Sequence, residues 1–431
     1  MVTASGTGTV RALPMPRAIY VLVLLCLVNA FSYLDRNMIG LVLPQMTAEL
    51  ALSDTVTGLV AGLPFALCYA TCAIPAACIA DNSHRRNLLA AALTVWSTIT
   101  MLTGLVQSGW QLALARFGLG AGESAGHPST SSLVADMFSA ESRTAAFAAI
   151  AASAYLGPLF GFPVIGWILA EHGWRSAFFA MGLGGLLIAA LLMLTVREPA
   201  RGPRPADEIG AKSAGFVRGV RRLLSTRSYR YVIFAGGFNA INQGAHLTWG
   251  PTFLDRVHEL GPQEIGFYFG TLRGAAGLLG ALLAGVVVGA MVRKDATWQI
   301  RAPIVVAALP FLSDALFLLA RDPLLWQAGL ALTALFTAVA IALSYPLYVN
   351  IAPPHLRAQA AAFYFLVASL MGIILGPFSV GALTDLLADR AGEQAITWAM
   401  LIASSSALVS ALLLLLAKSS WIADARLAEA S

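Results

Sequence analysis

Apolar stretches long enough to cross a bilayer follow one another along almost the whole chain, and this repetition constrains the fold more than any other feature. A hydrocarbon core of about 30 Å is crossed by about 20 helical residues, whereas a barrel strand needs only about 10. With no water at that depth, each backbone N–H and C=O must be satisfied within its own segment, so runs of this length specify helices. Between charged or Pro/Gly punctuation the runs fall at roughly 17–44, 55–80, 87–107, 109–136, 142–170, 174–196, 228–256, 262–291, 300–320, 323–351, 355–385 and 393–417. The expected fold is an all-α membrane protein of twelve transmembrane helices. Only 11% of the residues are charged against 58% hydrophobic, too few polar groups to cover a soluble globule.

The basic residues test this map. With both termini cytoplasmic, 20 of the 27 lysines and arginines fall in inside segments and four in outside loops, the asymmetry that orients membrane proteins. Topology therefore accounts for the net charge of +5, and nucleic acid is not an expected partner. The expected location is a bacterial inner membrane. The one long polar interruption, 197–227, is a basic linker suited to lie on anionic lipid, and it separates halves at 1–196 and 228–431. The halves resemble each other: Gly157, Gly161 and Gly166 follow Arg143, and Gly372, Gly376 and Gly381 follow Arg357 at identical glycine spacing. A duplication into two pseudo-symmetric six-helix halves explains this, and carriers built that way bind substrate between the repeats. Cys26, Cys68, Cys72 and Cys78 all lie in apolar runs and read as packing residues, not as disulfides or metal ligands. The first run is too long for a cleaved signal peptide.

Three arginines, Arg36, Arg116 and Arg273, fall inside spans. A charge at mid-bilayer costs about 2.5–3.5 kcal/mol on insertion scales, so each is expected to face a protein-lined interior. Asp35 and Arg36 are adjacent in the first span; Arg116, Glu123 and His127 in the fourth are spaced to share one helical face. Together they predict a buried network of two acids and two arginines. Burial favours the neutral carboxyl and a nearby arginine the ionised one, so movement between the two environments loads or releases a proton. Asp35, Arg36, Arg116 and Glu123 are the expected proton-coupling set; the competing reading is a permanently charged structural network.

In the second half, Asn239, Asn242, Gln243 and His246 lie within two turns of span seven, and Tyr345 and Tyr364 mark spans ten and eleven. With His127, these are expected to line a substrate cavity. Arg273 is the expected contact for an anionic group, unless it pairs with Asp314. At the inner end of span two, Asp81, Arg85 and Arg86 are placed to latch helix ends in one conformation and release them in another. Gly157-Pro158 would let span five approach a neighbour and bend. No Gly-x-x-x-x-Gly-Lys-Ser/Thr, Gly-x-Ser-x-Gly or His-Glu-x-x-His sequence occurs, so neither ATP-driven nor hydrolytic nor zinc chemistry has a foothold. No enzyme activity, cofactor or metal is expected, only a proton gradient.

These motifs resemble a known group. The duplicated twelve-span plan and the 81–86 segment resemble the major facilitator superfamily. Tyr33-Leu34-Asp35-Arg36 with Arg116-Phe117-Gly118-Leu119-Gly120-Ala121-Gly122-Glu123 resembles its spinster-like branch, as do Asp136-Met137-Phe138, Gly173-Trp174-Arg175 and Arg197-Glu198-Pro199. The resemblance implies the major facilitator fold and a monomeric, proton-coupled, alternating-access carrier of a lysophospholipid or a sphingolipid-like amphipathic anion. Asp35, Arg36, Arg116 and Glu123 match the branch's buried charges. The alternatives are a carrier of a small organic anion such as a sugar acid, and a drug/proton antiporter, to which Gly157-Pro158 inclines the direction.

Overall fold

The structure is a computed structural model that describes residues 15–198 and 212–430; within these, the side chains of Met15, Ile74, Ala77, Asp81, Asn82, Ala140, Glu141, residues 212–217, Glu429 and Ala430 lie outside the described residues. Seven stretches are long and apolar enough to cross a membrane, two of them containing two crossings each, and the helices at 85–103, 109–137 and 227–258 complete a set of twelve. Taken in order, the spanning helices are α1 (Met15–Leu50), α2 (Asp54–Asn82), α3 (Arg85–Thr103), α4 (109–137), α5 (140–172), α6 (174–195), α7 (Arg227–His258), α8 (262–294), α9 (Trp298–Leu319), α10 (Pro323–Val349), α11 (357–391) and α12 (395–430). The expected twelve are all present. The linker from 199 to 211 lies outside the described residues; a short helix, Lys212–Ser225, follows it and packs Gly219 against Gln359 of α11.

The breaks have local causes. Gly173 (φ 75°) reverses the chain between α5 and α6, and Gly392 (φ 53°) between α11 and α12, in backbone regions that glycine enters without steric cost. Asp322 caps α10 by accepting from the N–H groups of Leu324 and Leu325 at 2.9 and 3.2 Å. Span four departs from expectation: it is two helices, Gly109–Glu123 and Gly126–Met137, joined at Ser124–Ala125. Both junction residues keep helical backbone angles, and His127, one turn beyond Glu123, is exposed where Arg116 and Glu123 are buried, within reach of the charge of Arg36.

For orientation, the side on which α6 ends and the helix Lys212–Ser225 lies is called the linker face and the opposite side the far face. Each half has its own core, built on Leu25, Trp96 and Leu192 in the first and Tyr229, Tyr348 and Trp421 in the second. A third cluster joins the halves, with Met38, Val42, Phe162, Trp249 and Phe269 at its centre. There small residues let backbones meet: a Cβ on Gly40 would lie 2.5 Å from the Leu247 carbonyl, and one on Gly266 2.5 Å from that of Phe162. The glycine repeat reads out symmetrically. Gly157 and Gly161 pack on α1 and Gly166 on α8 of the other half; Gly372 and Gly376 pack on α7 and Gly381 on α2 of the other half. The halves thus close over each other at the far face. Nearer the linker face, Arg36 has a side chain 30% exposed and Tyr345 is 58% exposed, so the interior is open there.

Candidate functional site

Asp35 and Arg36 are neighbours on a helix and so point about 100° apart. That separation sets which members of the expected four-member network touch. Arg36 reaches α4 and forms a salt bridge with Glu123, its Nε donating at 3.2 Å, while Ser32 donates to the same carboxylate at 3.3 Å. Its guanidinium also lies over the rings of Phe65 and Tyr69, 5.1 and 5.3 Å from their centroids. Asp35 turns to α3, where it accepts a 2.7 Å hydrogen bond from Thr100. It is 4% exposed and, among the described residues, no arginine comes within 4.0 Å of it. Arg116 pairs with neither acid; its Nε and Nη2 donate to the Ala61 carbonyl at 3.2 and 3.0 Å, and its guanidinium lies 5.2 Å from the Phe65 centroid. The arrangement is one ion pair, one buried carboxyl bonded to a hydroxyl and one arginine bonded to a backbone carbonyl, the four charges acting on one another through space, with an aromatic ring in contact with both arginines.

The second-half residues also divide. Gln243 lines a cavity between the halves with Tyr33 of α1, Tyr155 of α5, Arg273 of α8 and Thr337 of α10. Asn239 stands one turn before Gln243 on the same helical face. Asn242 and His246 do not face this cavity: they are 3% and 1% exposed and contact Asp314 from behind its wall. Tyr364 is buried as well, stacked 4.3 Å from Tyr348, while Tyr345 continues the Thr337–Ile341 stripe toward the linker face. Pro158 lines the cavity; Gly157 packs against the Ala30 carbonyl. His127 contacts Ser131 at 3.4 Å. Arg273 is 9% exposed, rests 4.9 Å over Phe269, and has an Nη1 that no acceptor reaches. Among the described residues no carboxylate lies within 4.0 Å of it, Asp314 being held by His246, Thr333 and Asn242 instead. The cavity therefore contains a buried cation with unused donors, an arrangement that favours an incoming anion.

Two sets of contacts at the helix ends were not legible as pairs in the sequence. At the linker face Arg85, fully buried, bridges Asp136 at the end of α4 and Glu198 after α6 (2.8 Å to Glu198), and the backbone N–H groups of Arg85 and Arg86 donate to Glu198 at 3.2 and 2.8 Å. Arg86 Nη1 donates to the Val196 carbonyl at 2.8 Å. This ties α3, α4 and α6 together within one half. Asp81, proposed as the acid of the latch, has its side chain outside the described residues. At the far face the contact crosses between halves: Arg256 at the end of α7 clasps Asp54 at the start of α2 with bonds of 2.6 and 2.8 Å. Asp385 of α11 accepts from the N–H groups of Asp54 and Thr55 at 3.3 and 2.8 Å. Gly173-Trp174-Arg175 binds the same face within the first half, Trp174 and Arg175 donating to Glu49 at 2.8 and 2.5 Å.

The Arg256–Asp54 clasp is about one-third exposed on the arginine side, so its worth is on the order of 1 kcal/mol, about a fivefold population shift. In Asp54→Asn, spin labels at Gln107 and Arg321, in a chain whose four cysteines are serine, are expected to gain a longer-distance component. An unchanged distance distribution removes the latch role.

Comparison with known proteins places this geometry. The family model described as "Major Facilitator Superfamily" matches residues 25–377. An "MFS-type efflux pump" of Mycolicibacterium smegmatis is 32% identical over 402 residues, covering 93% of this chain and 91% of the relative. A probable galactarate/D-glucarate transporter of Escherichia coli is 24% identical, covering 84% and 86%, and a sphingosine-1-phosphate transporter of Danio rerio 25% identical, covering 84% and 75%. The crystal structure of a bacterial homologue of the human lysosomal transporter spinster, inward-facing and unoccupied, superposes with a TM-score of 0.81 at 24% identity, covering 95% of this chain and 99% of that one.

Proposed function

The chain belongs to the Major Facilitator Superfamily, and from that premise we propose that it is a proton-coupled secondary transporter of an amphipathic anion such as a lysophospholipid. The observation that carries the anion is the unpartnered guanidinium of Arg273 in the cavity between the halves. Phe162, Leu247 and Ile341 give the same cavity an apolar wall for a tail. The sphingosine-1-phosphate transporter among the relatives supports an anionic lipid, and the efflux pump supports export. The coupling element is Asp35, set against the Arg36–Glu123 pair, and the linker face is cytoplasmic, so the chain rests open to the cell interior with Arg256–Asp54 closing the outer side.

A second reading has its own support. Tyr33, Tyr155, Gln243 and Thr337 give the cavity enough hydroxyl and amide groups for a polyhydroxy acid, the class named for the probable galactarate/D-glucarate transporter of E. coli. Proteoliposomes containing only this protein decide between them: a pH gradient is expected to drive flux of lysophosphatidylglycerol, with lysolipids competing and hexuronates not. Competition by hexuronates alone assigns the sugar acids. Chemical conversion of the lipid without flux overturns the transport reading.

A further inference from the structure

Behind the cavity wall lies a polar cluster that the transport reading leaves unused. Asp314 and Ser404 are 0% exposed and His246 is 1% exposed. Thr333 donates to Asp314 Oδ1 at 2.7 Å, Asn242 Nδ2 donates to Oδ2 at 2.9 Å, and His246 Nε2 stands 3.2 Å from Oδ2 and 2.8 Å from Ser404 Oγ. His246 Nδ1 is buried with no partner. Helices α10 and α12 bring hydroxyls but no ionisable group to this depth; on α9 the other charge is Arg301 near the linker face. On α7 the remaining charges are at the two ends, and on α8 they are Glu264 at the far end, Arg293 and Lys294 at the other end, and Arg273. Tyr33 and Tyr155 face Arg273 from the first half. The contrast with the first half is chemical. Glu123 is neutralised by an arginine, a permanent cation, whereas Asp314 is neutralised by an imidazole, which takes up or releases a proton near neutral pH.

We propose that His246 and Asp314 form a second proton-binding site, in the half opposite Asp35, whose protonation sets the affinity of Arg273 for an anion. With one proton the pair is neutral and the charge of Arg273 is uncompensated. When the proton leaves to solvent, the pair carries one negative charge, whose field reaches Arg273 and offsets it. Anion binding and protonation then favour each other, and the coupling is reciprocal. The affinity claim rests on the reading of Arg273 as the anion contact; the pair itself does not.

The test uses the full-length protein in nanodiscs with ring-¹⁵N histidine, the His246 signal being assigned by its loss in His246→Gln. That signal is expected to change as the pH is varied over the range in which the protein stays folded, and its midpoint to move by about half a unit or more in Arg273→Gln. A signal constant over that range, or a midpoint indifferent to Arg273, overturns the proposal. Calorimetry with lysophosphatidylglycerol, whose phosphodiester keeps one charge, is expected to give an affinity that weakens by about threefold or more in total as the pH rises through the midpoint, the equivalent of that half-unit movement. Asp314→Asn and His246→Gln are expected to flatten that dependence. Affinity independent of pH in the unaltered protein overturns the linkage. No binding of lysophosphatidylglycerol or glucuronate, with the His246 midpoint still responding to Arg273, sinks the substrate assignment and sustains the pair.

Discussion

Asp35→Asn is expected to lower pH-gradient-driven flux to that of empty liposomes while substrate counterflow, which needs no net proton movement, continues. The reason is its surroundings. Asp35 is 4% exposed, and the contact it makes is one hydroxyl donor, Thr100, which can bond to a carboxyl oxygen whether or not the group carries a proton. No salt bridge holds it ionised. Asparagine preserves the acceptor for Thr100 and the volume, so the fold is retained and only the exchangeable proton is removed. Glu123→Gln is also expected to abolish driven flux, by a different route: it leaves Arg36 as an unpaired cation between Phe65 and Tyr69. Counterflow separates the two variants, surviving in the first and impaired in the second. Driven flux unchanged in both variants would remove proton coupling from this site and leave the charges a structural role.

Much of this arrangement was legible from the residue types alone. A charge in an apolar run is rare enough that Arg36, Glu123 and Arg273 identify themselves, and twelve runs of membrane-spanning length give the helices. What the sequence hid was direction. Asn239, Asn242, Gln243 and His246 fall so close together that their positions span most of a helix circumference; which pair faces the cavity depends on where Asp314 comes from, seventy residues on. The same limit applies to Asp35 and Arg36, whose adjacency forces their side chains toward different partners. The far-face latch was hidden for another reason. Asp54, Arg256 and Asp385 stand at helix ends, where charges are ordinary, and only the closed arrangement of the halves brings them together. Arg85 had a visible signal in the acids Asp136 and Glu198, each at a helix end in a matching motif, but no spacing rule ties them to it.

Arg273→Ala is expected to weaken binding of lysophosphatidylglycerol to the purified protein by about 10- to 150-fold, the worth of a charge-assisted hydrogen bond of about 1.5–3 kcal/mol. The guanidinium is already desolvated, stacked on Phe269 and without a protein acceptor at Nη1, so the cost of burying it is met before ligand arrives and the ligand's anion gains the full interaction. Arg273→Lys keeps the charge and loses the planar two-donor fork, so it should fall between. A neutral lysolipid analogue of the same chain length should bind the native protein and Arg273→Ala alike, because the apolar wall of Phe162, Leu247 and Ile341 is untouched. This control separates loss of the anion contact from collapse of the cavity. Equal affinity of native protein and Arg273→Ala for the anion would return Arg273 to a structural part and move the recognition of charge to Gln243, Tyr33 and Tyr155.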